Sequence, residues 1–206
     1  MKELEKRSYS FDPRAEGNRI TGRPIVYGSR TDIGPFDEII EAGALDGADL
    51  RDVRFLVNHD LSKIPLARSR RNNGNSTMQL TPDEQGLSMD VQLDTENNAD
   101  ARALYSAVDR GDITGMSFMF SVDDEEWEDL ESDHPTRHIR KIGSVVEVSA
   151  VTFPAYDATE IFARSKEALE SARSALENAR QQSVETVDTA LELAKEKTKL
   201  LVGGLN

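Results

Sequence analysis

No cysteine occurs in the 206 residues of the chain. That removes disulfides, thiolate nucleophiles and cysteine-based zinc sites, and nothing points to a secreted, cross-linked scaffold. No apolar run is long enough to span a bilayer, and Met1-Lys2-Glu3-Leu4-Glu5-Lys6-Arg7 leads into no signal-peptide core. The expected setting is the cytosol of whatever cell makes the protein, with no membrane partner. Positive charge is also in short supply: 25 Lys and Arg stand against 38 Asp and Glu, a formal net charge of −13. So acidic a chain repels a phosphate backbone, which excludes a general nucleic-acid binder. With three histidines and one tryptophan, the available bases and aromatic anchors are quickly enumerated.

What the chain does have is a succession of short apolar segments broken by turn residues. Residues 1–18 form a polar, edge-like N-terminal segment. Ile20, Ile25, Val26 and Tyr27, interrupted by Gly22, Pro24 and Gly28, suggest a first strand or bent hairpin. Phe36 to Leu50 reads as a short helix or irregular connection. Val53, Phe55 and Val57 alternate and stop at the turn Asn58-His59-Asp60, which leaves His59 at a strand's mouth. Ile64 to Arg70, Thr77 to Thr81 and Leu87 to Leu93 follow as short strands, separated by Asn72-Asn73-Gly74-Asn75 and by Pro82 to Gly86. The period then changes to three- and four-residue steps over Ala99 to Arg110, a helix with Asn and Asp residues ahead of it to cap it. His138 to Ile142 and Ser144 to Val151 are further strands, closed by Phe153-Pro154-Ala155-Tyr156.

Two stretches differ in composition. Asp123 to Asp133 is almost entirely acidic and reads as a solvated hairpin tip anchored by Trp127; it lacks the spacing of a calcium loop, and no metal site is expected. From about Ser165 to Leu201 there is neither Gly nor Pro, and the apolar positions Leu169, Ala172, Leu176 and Ala179, then Val184, Val187, Leu191, Ala194 and Leu201, form a thin heptad-like seam that breaks phase near Ser183. That is one long helix in need of a partner, stopped at Gly203-Gly204. The fold class expected is α+β, mainly β, with a sandwich or barrel of short strands and a long C-terminal helix. The organisation expected is 1–18 polar segment, 19–164 main domain, 165–202 helix and 203–206 tail.

The residue in want of a reason is Ser117, a hydroxyl in the apolar run Gly111 to Phe120. It is either a small residue tolerated in a sheet or a nucleophile on a rigid strand, and the second reading requires a base and an orienting group. His59, at the end of an apolar strand, is better placed as a base than His134 beside the acidic tip or His138 between Arg137 and Arg140. Glu147, within Val145-Val146-Glu147-Val148-Ser149-Ala150-Val151, either points outward or meets a strong partner, because an unpaired carboxylate in an apolar run costs several kcal/mol. Asp60, Asp112 and His138 compete with it for the orienting role.

The motifs Asn58-His59-Asp60, Gly86-Leu87, Arg110-Gly111-Asp112-Ile113, Gly115-Met116-Ser117-Phe118-x-Phe120, Trp127 and Glu147-Val148-Ser149-x-Val151-Thr152-x-Pro154-Ala155-Tyr156 occur in this order. Together they resemble the tailed-phage prohead maturation proteases, over roughly Arg19 to Arg164. The resemblance implies a serine endopeptidase with a β-barrel core surrounded by helices, similar in fold to herpesvirus assemblins. Ser117 matches the nucleophile, His59 the general base and Glu147 the residue that orients it. It also implies no cofactor, action inside the assembling prohead in the host cytoplasm, and as partners the major capsid protein with its scaffold segment and further copies of the chain itself through autoprocessing. The chain departs from the pattern in places: Ala42-Gly43-Ala44-Leu45 stands where the family tends to have Pro-Gly-Ala-Phe, and residues 154–159 lack the arginines with which assemblins surround the oxyanion. The rival expectation is an inactive protease-like scaffolding or capsid-interaction protein that works through its C-terminal helix.

Overall fold

The computed structural model of the protein describes residues 4–10, 13–152 and 166–203. Its architecture follows from two long strands, β10 (Gly115–Glu128) and β11 (Thr136–Val151), which pair antiparallel from Gly115↔Val151 to Glu128↔Thr136. β1 (Glu5–Ser10) adds to the free side of β10, with Ser8 opposite Ser117. On its other side β11 takes two parallel neighbours in succession. β5 (Asp37–Ile40) lies along Thr136–Ile139, and β6 (Arg54–Val57) lies along Glu147–Ala150. β4 (Arg30–Asp32) outside β5 and β7 (Ala67–Arg68) outside β6 complete a seven-stranded sheet. The second sheet is antiparallel and runs β2 (Arg14–Glu16), β3 (Arg19–Val26), β9 (Gly86–Gln92), β8 (Met78–Asp83).

The inner faces of the two sheets share one core, in which Ile20, Leu87 and Met89 meet Phe55, Phe118, Phe120 and Val148. Burying each of these large side chains contributes roughly 1.5–3 kcal/mol. α1 (Ala99–Asp109) adds Ala101, Leu104 and Val108 to the same core; it starts where the Asn98 side chain accepts the N–H groups of Asp100 and Ala101. The mainly β character and the long C-terminal helix are as expected. The barrel is not closed: among the described residues the strands form two separate sheets. The edges explain why, since β2, β4 and β7 are two or three residues long and β8 carries Pro82, which has no N–H to donate.

Three local expectations also change. Within the stretch read as helix or connection, residues 37–40 are the strand β5, whose buried positions are Glu38 and Ile40. The two strands expected between His138 and Val151 are one continuous β11. The acidic run is split: Asp123 to Glu128 are in β10 and only the residues from Asp129 onward turn. The expected closure at Phe153 to Tyr156 lies outside the described residues.

α2 (Lys166–Gly203) holds to the body through its first half. Ala172 and Leu176 pack with Ile33 and Phe36, and Trp127, which meets Phe36 edge-on at 4.9 Å, joins them. Arg180 donates to the carbonyls of Leu130 (3.1 Å) and Ser132 (2.8 Å), tying the acidic turn to the helix. Further along, Val184, Leu191 and Leu193 are exposed.

Candidate active site

Alternation along β10 decides which side chains are free for chemistry. Phe118 and Phe120 enter the core, so Ser117 projects from the opposite face, in one row with Ser149 of β11. Glu147, two residues before Ser149, shares that face. β6 continues the row with Leu56 opposite Ser149 and then ends. Asn58 and His59 both adopt left-handed backbone, with φ of 51° and 58°, which turns the chain back over the sheet. Two such non-glycine residues in succession carry a conformational cost of about 1 kcal/mol or more each. The turn is held by Asn58, whose N–H donates to the Ala150 carbonyl (3.0 Å), while its side chain accepts the Thr152 N–H (3.0 Å) and donates to Thr152 Oγ1 (3.1 Å).

The result is that the His59 ring bridges the other two candidates. Nε2 lies 2.6 Å from Ser117 Oγ, and Nδ1 is hydrogen-bonded to Glu147 Oε1. An Nδ1–H that donates to the carboxylate leaves Nε2 as the acceptor, the tautomer a general base requires. Ser117 and Glu147 are fully buried, whereas the His59 side chain keeps 17% of its surface. The ring is therefore the side of the site that water reaches. Glu147 Oε2 accepts the hydroxyl of Ser149 at 2.6 Å, and Ser149 Oγ in turn accepts the His59 N–H at 3.1 Å. One hydroxyl thus links the loop that carries the ring to the carboxylate that orients it. The sequence reading assigned Ser149 no role, although the Glu-x-Ser spacing on a strand puts both side chains on one face.

Ser117 has a second neighbour, the Arg7 carbonyl oxygen of β1, 2.6 Å from Oγ. A hydroxyl has one hydrogen, so at any moment Ser117 donates either to Arg7 or to His59 Nε2. The Arg7 side chain lies on the opposite face, where β1, β5, β10 and β11 bury two guanidinium groups among three carboxylates. Arg7 donates to Glu38 (2.5 and 2.6 Å) and Glu5 (2.7 Å); Arg137 donates to Glu5 (2.6 and 2.8 Å), Glu38 (3.1 Å) and Glu125 (2.9 Å). Burial pushes the Glu5 carboxyl up, but the hydrogen bond from Arg137 and the charges of both arginines outweigh it and hold Glu5 at about 2. Burial likewise opposes the charge on Arg7, and Glu38 and Glu5 more than restore it. None of these five charges was singled out from the sequence.

The competing candidates have other partners. Asp60 accepts the N–H and hydroxyl of Ser62, Asp112 pairs with Arg110, and His138 Nδ1 is 2.6 Å from Glu41 Oε1. His134 lies 3.2 Å from Asp37 and close to Asp32, a spacing that could hold an ion, but Asp37 is already paired with Arg30 at 3.0 Å. Residues 154–159, where the oxyanion donors were sought, lie outside the described residues.

The chain is similar to proteins already known. The sequence model of the caudovirus prohead serine proteases matches residues 2–173, a span that includes β1 and the first turns of α2. Among solved structures, the chain is similar to the bacteriophage T4 capsid assembly protease gp21, at 11% identity and a TM-score of 0.43 over 74% of this chain and 98% of that one. No curated protein sequence matches.

Proposed function

The chain belongs to the caudovirus prohead serine protease family, and from that premise we propose that it is a serine endopeptidase that works by Ser117, His59 and Glu147 during capsid maturation. The observation that carries the proposal is the His59 ring, set between Ser117 Oγ at 2.6 Å and the Glu147 carboxylate. Ser117 Oγ attacks the carbonyl carbon of the substrate as its proton passes to His59 Nε2. Glu147 keeps its hydrogen bond to Nδ1 and stabilises the imidazolium so formed. Nε2 then returns the proton to the departing amine, which leaves the acyl group on Oγ. A water molecule gives its proton to Nε2, attacks the ester, and restores the serine. The Arg7 carbonyl competes for the proton at the outset, so the hydroxyl has to turn towards His59 before attack.

The substrates we propose are the scaffold part of the major capsid protein and the chain itself, inside the assembling prohead. Family membership supports that reading. The fluorophosphonate test is direct: the purified chain should be modified at Ser117, and Ser117→Ala should lose both the label and cleavage of capsid-protein precursor by a factor of about 10⁴ or more. Undiminished cleavage by the alanine variant would remove Ser117 from the mechanism. The exposed Val184, Leu191 and Leu193 of α2 favour a second reading, an inactive protease-like chain that binds capsid components through its helix. Absence of labelling and cleavage under capsid-like crowding would select it.

A further inference from the structure

The loop that delivers His59 also walls a groove. β6 leaves the large sheet at the end where β10 enters it, so residues 58–66, α1 and Ile113 gather there. They enclose a groove of about 430 Å³ lined by Leu56, Ile64, Leu66, Ala103, Leu104 and Ile113. The space is within the range of pockets that hold side chains or small ligands. Asp60, Lys63 and Asp100 supply the charge in its lining, and all three are exposed, at the mouth. Ile64 is 84% exposed and Leu61 62%. A single exposed leucine is ordinary, but two large aliphatic side chains in water beside an aliphatic groove mark a surface that something covers.

Its position relative to the nucleophile suggests what that is. Ser117, Ser149 and Leu56 occupy one row on successive strands. Leu56 is therefore two strand spacings, about 10 Å, from Ser117. The loop bearing His59 crosses between them, since the His59 N–H is bonded to Ser149 and the ring reaches Ser117. A base that takes the serine proton hands it to the departing amine, so the segment that leaves with the amine passes over the imidazole, away from Ser117 and towards Leu56. Extended peptide advances about 3.3 Å per residue, and about three residues span the distance.

We infer that this groove is a specificity subsite for the leaving side of the substrate: it takes an aliphatic side chain within about three residues after the cut bond. The inference rests on the protease reading above. The walls provide no fixed donor or acceptor among the six aliphatic residues named, so shape and dryness select, and a charged side chain would be stripped of water without a partner. Discrimination between an aliphatic and a smaller residue in such a pocket is about tenfold to a hundredfold.

The test uses the full chain and a mixture of denatured bacterial-protein peptides, with cut sites read by mass spectrometry. The parent should enrich aliphatic residues about tenfold at one of the first three positions after the cut. Ala103→Phe, which fills the groove from an exposed position on α1, should abolish that enrichment and raise KM on the best parent peptide more than it lowers kcat. Ile64→Asp, on the exposed loop, is the second variant should the first fail to fold, and it should penalise aliphatic residues at the same position. A parent that labels at Ser117 and cuts peptides without such enrichment, or with it confined to the acyl side, overturns the groove assignment alone; so does enrichment that survives both variants. A parent that neither labels nor cuts overturns the protease reading, and the subsite with it.

Discussion

Two polar clusters are buried on opposite faces of the same sheet, and they differ in whether a proton can move. On one face the Ser117 hydroxyl, the His59 ring, Glu147 and Ser149 form a chain of hydrogen bonds with a choice built in, because the Ser117 hydrogen has two acceptors. On the other, Glu5, Arg7, Glu38, Glu125 and Arg137 form forked ion pairs in which the guanidinium groups only donate and the carboxylates only accept. The first arrangement can relay a proton, whereas the second can only hold strands together. β1 belongs to both, since the Arg7 side chain is locked in the ionic cluster while its carbonyl meets the Ser117 hydroxyl.

The largest expected effect breaks the relay without disturbing the lock. Glu147→Gln keeps the shape of a fully buried side chain but removes its charge and replaces one of two acceptor oxygens, which serve His59 and Ser149, with an NH2 donor, so the His59 tautomer is no longer fixed. Cleavage should fall by a factor of about 10³–10⁴, with the thermal midpoint changed far less than by any loss from the ionic cluster. Activity near that of the parent would show that Glu147 does not orient the ring.

The next effect attacks the lock. Glu38, buried on β5, accepts from both arginines. Glu38→Gln leaves two buried cations short of a counter-charge, and breaking a buried pair in this way costs about 3–5 kcal/mol. Chemical denaturation should report that loss, while the rate of Ser117 labelling in the folded protein should change much less than in Glu147→Gln. Equal losses in both measurements would mean that the two faces are not separable. A smaller, graded version comes from acid. Glu5 is held at about 2 against an ordinary value of 4.5, so its contribution is complete above the ordinary value and lost as pH falls from about 4.5 towards about 2. Melting temperature should decline through that window, less steeply in Glu5→Gln, and identical profiles would remove Glu5 from the acid response.

The contrast between the clusters also explains what could be read in advance. β6 was legible because Val53, Phe55 and Val57 alternate and Asn58-His59-Asp60 is a turn, and α1 because its apolar residues recur at helical steps. β1 and β5 were not, because among the described positions their buried members are Glu5, Arg7 and Glu38, with Ile40 the one apolar residue. A hydrophobic pattern cannot reveal a strand whose inner face is charged; only the partners, up to 132 residues away along the chain, make such burial tolerable. The candidate site was legible for a related reason: Ser117 and Glu147 stand out as polar exceptions within apolar runs. Ser149 stood only as part of the Glu147-Val148-Ser149 motif and had no role of its own, since a serine two residues from a glutamate is unremarkable until the strand places both on one face. The β-barrel core that the resemblance implies is open among the described residues, with β2, β4 and β7 only two or three residues long and β8 carrying Pro82 at the edges.

Ser149 provides the finest test of how the relay is built. Its hydroxyl donates to Glu147 Oε2 and accepts the His59 N–H, so Ser149→Ala leaves a buried carboxylate oxygen and a half-buried N–H each short of one partner. The stability cost should be about 1–3 kcal/mol. If the hydroxyl only satisfies those groups, kcat will follow the folded fraction and nothing more. If it positions the loop against the carboxylate, the His59 ring loses registry with Ser117 even in the folded protein, and kcat should drop by about tenfold or more while KM stays near the parent value. Measured well below the melting temperature, where nearly all of the protein is folded, the two outcomes separate: a tenfold loss of kcat exceeds anything the small unfolded fraction can supply, and an unchanged KM sets aside weakened substrate binding.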